Sequence, residues 1–246
     1  MLGHIEQDRW SSVFARVNDP RVVRWSDGTT RLERMPDVAE HDFDLIVLID
    51  SPGLAQRTLI NLANITYPRL RVIFVFSSAA GKDNFHALLC CMRESLPRYS
   101  LFVPKSPLEI AEMKSAGLQS VKAPHYGLLY GGDSVHPKVF DRVSAALVDN
   151  PTADGIKVGS ARLNAFSWYT EDHRDTGRLI VYRTDAVMQR GGYRAMDIHE
   201  YDSEWRLQRL LAAGIVELPE LLFFRSPRTS DVIAGQQYSV FEEAPL

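Results

Sequence analysis

The sequence predicts an α/β fold in which helices cover both faces of a mostly parallel central sheet. Three short apolar runs, at residues 45–49, 70–76 and 99–103, have the length and composition of buried strands. Segments with a helical spacing of apolar residues separate them. Parallel strands need a crossover connection, which is usually a helix, so this alternation indicates a parallel sheet.

The first half of the chain predicts three helices between and after these strands. Residues 54–64 have helical periodicity, and Tyr67-Pro68 then stops the helix. Residues 84–95 and 108–118 show the same spacing, and the helix at 108–118 ends near Gly117. Each helix would return the chain across one face of the sheet.

The second half continues the alternation with shorter elements. Its strongest helix signal, residues 202–213, is amphipathic and stops at Gly214. A short helix begins at residue 186 and ends at Gly191-Gly192. The remaining predicted elements are a helix at 140–148 and strands at 156–159, 178–182, 215–218 and 221–224.

The predicted α/β domain covers residues 42–230, with a short segment on either side. Residues 1–41 are a polar lead-in, in which strand-like residues flank Ser26-Asp27-Gly28 as in a hairpin. Residues 231–246 are predicted to be a C-terminal tail.

The composition argues against several classes of protein. A formal net charge of -3 without basic stripes disfavours a nucleic-acid-binding module. The N-terminus has no apolar signal-peptide region and no apolar run reaches the length of a membrane span, so we expect a cytoplasmic, soluble protein. Cys90 and Cys91 are adjacent in an apolar run, and we expect them to be buried free thiols.

Two common nucleotide-binding motifs are missing from the sequence. No Gly-x-Gly-x-x-Gly turn follows the first strand, which argues against a Rossmann dehydrogenase. No Gly-x-x-x-x-Gly-Lys-Ser/Thr occurs either, which excludes a phosphate-loop enzyme.

The segment Tyr126-Gly-Leu-Leu-Tyr-Gly-Gly-Asp-Ser-Val-His-Pro137 combines a strand, a glycine pair and one acid. Asp133 stands where the strand ends, which is where open α/β sheets bind ligands. Holding a divalent metal against a diphosphate usually takes two carboxylates. This segment offers one.

Several segments follow one another in the order and spacing of a known family. Together they resemble family 2 glycosyltransferases over roughly residues 42–230. The segments are Thr58-Leu-Ile-Asn-Leu-Ala-Asn-Ile-Thr-Tyr-Pro68, Leu70-Arg-Val-Ile-Phe-Val75, Met113-Lys-Ser-Ala-Gly117, Tyr126 to Pro137, Arg183 with Gly191-Gly-Tyr193, Asp202-Ser-Glu-Trp-Arg-Leu-Gln-Arg-Leu210, Gly214 and Pro219-Glu220.

The resemblance implies a GT-A-like fold and transfer of a sugar from a nucleotide-diphosphate donor to a carbohydrate-type acceptor, a glycan. Members of the family usually hold Mn²⁺ or Mg²⁺ with an Asp-x-Asp motif. Tyr130 replaces the first Asp here, and Asp133 corresponds to an acid often found just after the motif, so the motif is degenerate. Two alternatives stay open: a metal held by Asp133 and His136, or a metal-independent site in which cations face the phosphates.

The resemblance also assigns site residues. It places the base for the acceptor hydroxyl at the start of the helix at 202, so Asp202 is the first candidate, with Glu200 and Glu204 behind it. The donor-binding candidates are Asp50, Ser77, Ser78, Lys114, Tyr130, Gly131, Gly132, Asp133, Arg183, Gly191, Gly192 and Arg225, with Arg228 as a further cation.

Each candidate also has a purely structural interpretation. Acids at residues 200–204 complement a helix dipole, and Asp133 suits a turn or a cap. Trp168-Tyr169, in a predicted polar loop, suits sugar stacking or is an ordinary surface pair. The resemblance expects acids after the second strand, where Ser77 and Ser78 stand, and in the metal motif, where Tyr130 stands. Their loss from both positions favours a second hypothesis, a catalytically inactive glycosyltransferase-fold protein that acts as a binding or scaffold module.

Overall fold

A computed structural model describes residues 22–24, 30–32, 40–50, 52–79, 82–163, 168–170, 179–193 and 202–225. Within these residues, nine strands form the main sheet: β3 (Phe43–Ile49), β4 (Leu70–Phe76), β5 (Arg98–Phe102), β6 (His125–Tyr130), β7 (Ser134–Val135), β8 (Gly155–Leu163), β9 (Trp168–Thr170), β10 (Ile180–Arg183) and β11 (Ile215–Arg225). Their order across the sheet is β5-β4-β3-β6-β10-β8-β11-β7, and β9 pairs with β8 outside this path.

The sheet is mostly parallel, as the sequence predicts. Among the described strands, six run in one direction, and β7, β9 and β10 run against them. Strands β3, β4, β5 and β6 form an all-parallel half, whose carboxyl ends therefore meet at one edge. We call this edge the carboxyl edge.

Helices cover both faces of the sheet, which confirms the predicted α/β architecture. Alternate residues of β3 pack into two separate cores: Leu45 and Val47 into one, Ile46 and Leu48 into the other. Because β3 is buried on both faces, its sequence is continuously apolar from Leu45 to Ile49. The first core also contains residues of α1 (Pro52–Leu62), α2 (Lys82–Met92) and α4 (Val139–Asp149), and the second contains residues of α3 (Ile110–Gln119), α5 (Thr184–Gln189) and α6 (Asp202–Leu211).

Helix α3 packs unusually close to the central strand at Gly117. A Cβ atom at this position would lie 2.6 Å from Cγ2 of Ile46. The hydrogen of glycine therefore allows the direct contact between helix and sheet. Lys114 lies one turn before Gly117 in α3, and this contact fixes how deeply that turn lies in the second core.

The structure differs from the sequence prediction in three strands. One strand, β11, replaces the two predicted at 215–218 and 221–224; it runs through exposed Pro219, with register shifts on either side of Leu221. Trp168-Tyr169 lies in β9, paired with β8, and so not in a loop. The short strand β7 was not expected, since two residues carry too little periodicity to predict a strand.

The expectation of two buried thiols is wrong, because Cys90 and Cys91 are both exposed. They lie in the last turn of α2, and Phe85 and Leu89 supply its buried contacts. An apolar run does not distinguish the inner from the outer face of a helix, and this explains the error.

The hairpin expected near residues 21–31 is present as β1 (Val22–Arg24) paired antiparallel with β2 (Thr30–Leu32). The limits of the lead-in, the domain and the tail remain predictions, since most of these boundary residues lie outside the described ranges. Among the described helices, none combines the length and the apolar character that crossing a bilayer requires.

Buried polar groups stabilise the edge of the sheet that lies opposite the carboxyl edge. Burial opposes ionisation of Asp44, but Arg71 and the backbone N–H groups of Lys122 and Ala123 outweigh it and lower the pKa of this carboxyl. The two Arg71–Asp44 hydrogen bonds measure 2.8 and 2.6 Å. They join β3 to β4, and Arg71 also bonds the carbonyl of Ser120 after α3.

His125, at the same edge, makes the stability of the fold dependent on pH. Burial, with the nearby charges of His41 and Arg183, lowers its pKa from 6.5 to about 4. The unfolded chain therefore takes up this proton more readily than the folded chain. The stabilisation is complete above pH 6.5 and is lost as the pH falls through about 4.

We expect the free energy of unfolding to fall by on the order of 3 kcal/mol between pH 7 and pH 4 because of this group. Urea unfolding at several pH values measures it. His125→Leu should flatten that part of the profile, whereas His86→Gln, at an exposed position, should leave it unchanged. The same slope in His125→Leu and in the natural chain would contradict the assignment.

Candidate functional site

Three strands bring predicted site residues to the carboxyl edge. Asp50 follows β3 and is exposed, and half-buried Ser77 and Ser78 follow β4. The N–H of Ser77 donates to Ile49 (3.0 Å), and its carbonyl accepts from Leu108 (2.8 Å). This backbone is therefore fixed, and its polar side chains stand where open α/β sheets bind ligands.

The turn of Gly131, Gly132 and Asp133 follows β6 at the same edge. The Gly131 N–H donates to the Leu48 carbonyl, and the Gly132 N–H donates to Oγ1 of Thr58, both over 2.8 Å. Gly132 has φ +100°, a conformation that favours glycine. Both amides thus bond within the protein, which weighs against Gly131 and Gly132 as donor-binding residues that act through their backbone N–H groups.

Asp133 closes this turn with its own carboxylate. Its side chain is buried, and Oδ2 accepts the backbone N–H of Tyr130 at 3.2 Å. Its carbonyl accepts the hydroxyl of Thr58 at 2.9 Å. This arrangement matches the structural interpretation of Asp133 as a turn residue.

Lys114, Glu204 and Tyr130 form a buried polar cluster beside the turn, which we call the Lys–Glu–Tyr cluster. Lys114 Nζ donates to Glu204 Oε2 over 2.7 Å, and the Tyr130 hydroxyl donates to Oε1 over 2.8 Å. The ammonium also lies 5.5 Å from the centre of the Tyr130 ring. Each Glu204 oxygen therefore has a partner, and the cluster joins α3, α6 and the end of β6.

Further phenols surround the cluster in the second core. The hydroxyl of Tyr126 donates to that of Tyr193 over 3.1 Å. Burial raises the pKa of Tyr126, Tyr182 and Tyr193, and the negative charge of Glu204 raises each further. The phenols therefore stay protonated, and the negative charge beside them is that of the Glu204 carboxylate.

The buried pair also fixes which face α6 turns outward. Glu204 points inward with Leu207 and Leu211, while Trp205 is 51% exposed. The Arg209 guanidinium lies 4.6 Å from the Trp205 ring on the outer face. Because residues three and four apart share a helix face, position 202 falls on the same outer face as these two residues.

Arg225 reaches the carboxyl edge at the end of β11. The last pair of the antiparallel β7–β11 register is Phe224 with Ser134. Arg225 follows Phe224 in β11, and Asp133 directly precedes β7; they are 2% and 1% exposed. A buried cation and a buried anion therefore each adjoin this last pair.

The structure does not bring Arg183 to this edge. Arg183 pairs with His125, the first residue of β6, because β10 runs antiparallel to β6. Its guanidinium bonds Asp154 (2.7 Å) and Asp185 (2.8 Å). Both interactions are structural contacts at the opposite edge.

Gly191 and Gly192 end helix α5, with φ +83° and +58°. Arg206 donates to the carbonyl of Gly192 and, over 3.1 Å, to that of Arg190. This terminus packs on Leu118, near the end of α3. The glycines thus have a helix-capping role that requires no ligand.

The described residues at the carboxyl edge do not fit a divalent metal. Nδ1 of buried His136 accepts the N–H of Lys138 at 3.2 Å. Oδ2 of Asp133 is bonded to Tyr130, as described above. Within the described ranges, no group of three or more His, Cys, Asp or Glu side chains is placed to hold a metal ion.

Some candidates lie outside the described part of the chain. These are Glu200 and Arg228; for Asp202, only its place as the first residue of α6 is described. Their roles therefore remain predictions.

Two residues that support the site were missed by the sequence analysis. Thr58 bonds both Gly132 and Asp133, and Asn61 exchanges two hydrogen bonds with Val135, of 2.8 and 2.7 Å. Both are fully buried on α1, three residues apart. Polar residues at this spacing beside inward-facing leucines were the available signal.

Comparison with known proteins shows the fold. TarS 1–349 from S. aureus in complex with UDP-GlcNAc is similar with a TM-score of 0.64, at 13% identity over 76% of this chain and 59% of that one. The mannosyltransferase PcManGT from Pyrobaculum calidifontis, in complex with GDP-Man and Mn2+, is similar with a TM-score of 0.58, at 16% identity over 80% and 62%. No family model and no curated protein matches the sequence.

These structures are glycosyltransferases, and the chain has their GT-A-like fold, as the sequence analysis expected. The chain spans about 60% of the length of the TarS 1–349 structure. At these identities the likeness concerns the fold alone.

The Lys–Glu–Tyr cluster gives a stability prediction. Lys114→Met leaves the Glu204 carboxylate buried without its cation, so we expect a loss of about 3–5 kcal/mol. The double variant Lys114→Met/Glu204→Leu should recover most of the loss, because it removes both charges. Urea unfolding measures both.

The control is Arg69→Met. It breaks the exposed Arg69–Asp42 pair, whose side chains are 43% and 54% exposed, and should cost less than about 1 kcal/mol. Similar losses in Lys114→Met and Arg69→Met would show that the buried pair does not stabilise the fold in this way.

Proposed function

We propose that this chain is a glycosyltransferase domain, related to family 2, that transfers a sugar from a nucleotide-diphosphate donor to a carbohydrate-type acceptor. One observation carries the proposal. Asp50, Ser77 and the turn after β6 lie at the carboxyl edge of a GT-A-like sheet, and the Lys–Glu–Tyr cluster connects that turn to the start of α6. The UDP-GlcNAc and GDP-Man complexes of similar folds support the donor class.

In the proposed reaction, an acceptor hydroxyl attacks the anomeric carbon of the donor. A new C–O bond forms, the bond to the diphosphate breaks, and the nucleotide diphosphate leaves with that electron pair. A general base takes the hydroxyl proton. Asp202 is the proposed base because position 202 lies on the outer face of α6, whereas Glu204 is engaged with Lys114 and Tyr130.

The nucleoside end of the donor is assigned to Asp50 with Ser77 and Ser78. Among the described residues, these three are accessible polar side chains at the ends of β3 and β4. A carboxylate accepts hydrogen bonds from ribose hydroxyls or base N–H groups, and a serine hydroxyl both donates and accepts. Lys114 and Arg183 are left out of the donor site, because the first is buried on Glu204 and the second lies at the opposite edge.

A second candidate function is a catalytically inactive binding or scaffold module of the same fold. The observation that favours it concerns the described motif, which offers no accessible carboxylate pair: Tyr130 replaces one acid, and Asp133 is buried in its turn. The glycosyltransferase turns over its donor and the inactive module does not. Both bind a nucleotide if the module retains its donor site.

Calorimetric titration with UDP and with GDP tests the donor site. Asp50→Ala should weaken binding of the preferred nucleotide about tenfold or more, through loss of one charge-assisted hydrogen bond. Asp149→Ala removes an exposed acid at the end of α4 and should leave the affinity unchanged. Failure of both nucleotides to bind the natural chain would reject these donors.

The role of Asp202 is tested by the conservative change Asp202→Asn. Turnover, followed as release of UDP or GDP in the presence of acceptor oligosaccharides, should fall about 100-fold or more, since a general base contributes about this factor. Nucleotide affinity should not change, because the amide keeps the size of the side chain. Unaltered turnover would remove Asp202 from the mechanism, and no turnover in the natural chain with retained binding would favour the scaffold module.

A further inference from the structure

We infer that the donor site of this chain binds its nucleotide without a divalent metal ion, because buried protein charges already balance one another where a GT-A enzyme would hold the metal. The inference rests on the proposed function. It concerns four charged side chains and the tyrosine that connects them.

Four buried charges that the structure describes at the carboxyl edge sum to zero, while Asp50 at the same edge is exposed. Lys114 and Arg225 are cations, 1% and 2% exposed, and Asp133 and Glu204 are anions, 1% and 9% exposed. A hard divalent cation binds where carboxylate oxygens leave an excess of negative charge. Two buried anions beside two buried cations provide no such excess.

Three carboxylate oxygens of Glu204 and Asp133 are also bonded to other partners. Both carboxylate oxygens of Glu204 accept hydrogen bonds, from Lys114 at 2.7 Å and from Tyr130 at 2.8 Å. Oδ2 of Asp133 accepts the N–H of Tyr130. A metal on either carboxylate would have to displace these bonds, and taking Glu204 would leave the Lys114 ammonium buried without its anion.

Tyr130 is the residue that builds this arrangement. Its backbone N–H binds Asp133, and its hydroxyl binds Glu204. It therefore connects the turn after β6 to the first turn of α6 at the position where the resemblance expects a metal-binding Asp. A neutral phenol bonded to an internal ion pair thus replaces a carboxylate bonded to a metal, and Tyr130 is a positioning residue.

Two measurements on the full chain test the inference. Titration with Mn²⁺ alone, followed by the electron paramagnetic resonance of the free ion, should show no site tighter than about 1 mM. The calorimetric affinity for UDP, or for GDP if that is the nucleotide bound, should change by less than about tenfold between buffer with EDTA and buffer with Mn²⁺. Asp133→Asn is the matched control, because association of Mn²⁺ with free nucleotide affects both proteins equally.

The outcomes separate this inference from the proposed function. A Mn²⁺ site tighter than about 1 mM, or a gain in nucleotide affinity of about tenfold or more that Asp133→Asn abolishes, would overturn metal independence and leave the donor site standing. Equal affinity in both buffers supports both proposals. If no nucleotide binds, the donor site is rejected and the metal inference, which assumes it, falls too.

Discussion

The ion pair between Lys114 and Glu204 is the interaction on which the arrangement of the site depends. The two residues are 90 positions apart in the chain, and they meet inside the second core. With Tyr130 they join α3, α6 and the end of β6. A buried charge is stable only when it is paired and hydrogen-bonded, so this contact sets the depth of both helices and the rotation of α6 about its axis. The position of residue 202 follows from that rotation.

The same interactions limit the chemistry that the site can perform. The glycine amides, the Asp133 carboxylate and the Glu204 carboxylate all have partners within the protein. Groups that stabilise the carboxyl edge are therefore not available to a ligand at the same time. In the part of the chain that the structure describes, the strand ends with Asp50, Ser77 and Ser78 and the outer face of α6 remain accessible. The charge balance in the interior replaces the excess of negative charge that a metal-dependent enzyme of this fold needs.

Much of the fold could be predicted because buried strands and amphipathic helices carry local, periodic signals. Strand β3 is apolar from Leu45 to Ile49 because both of its faces are covered, and Gly117 marks the contact of α3 with Ile46. The prediction was wrong where the signal is not local. Cys90 and Cys91 lie on the outer side of α2, and β11 continues through Pro219 because pairing with β8 outweighs the proline.

The sequence by itself determined the order of strands and helices and the residue types at the strand ends, because hydrophobic periodicity and turn chemistry act over a few neighbouring residues. Only the tertiary structure decided which of the candidate site residues meet. The antiparallel direction of β10 places Arg183 at the edge opposite Asp133. The rotation of α6 about its axis directs Glu204 toward Lys114 and places position 202 on the outer face. The physical reason is that a charge takes its role from the groups that packing brings within a few ångströms, and these come from distant parts of the chain.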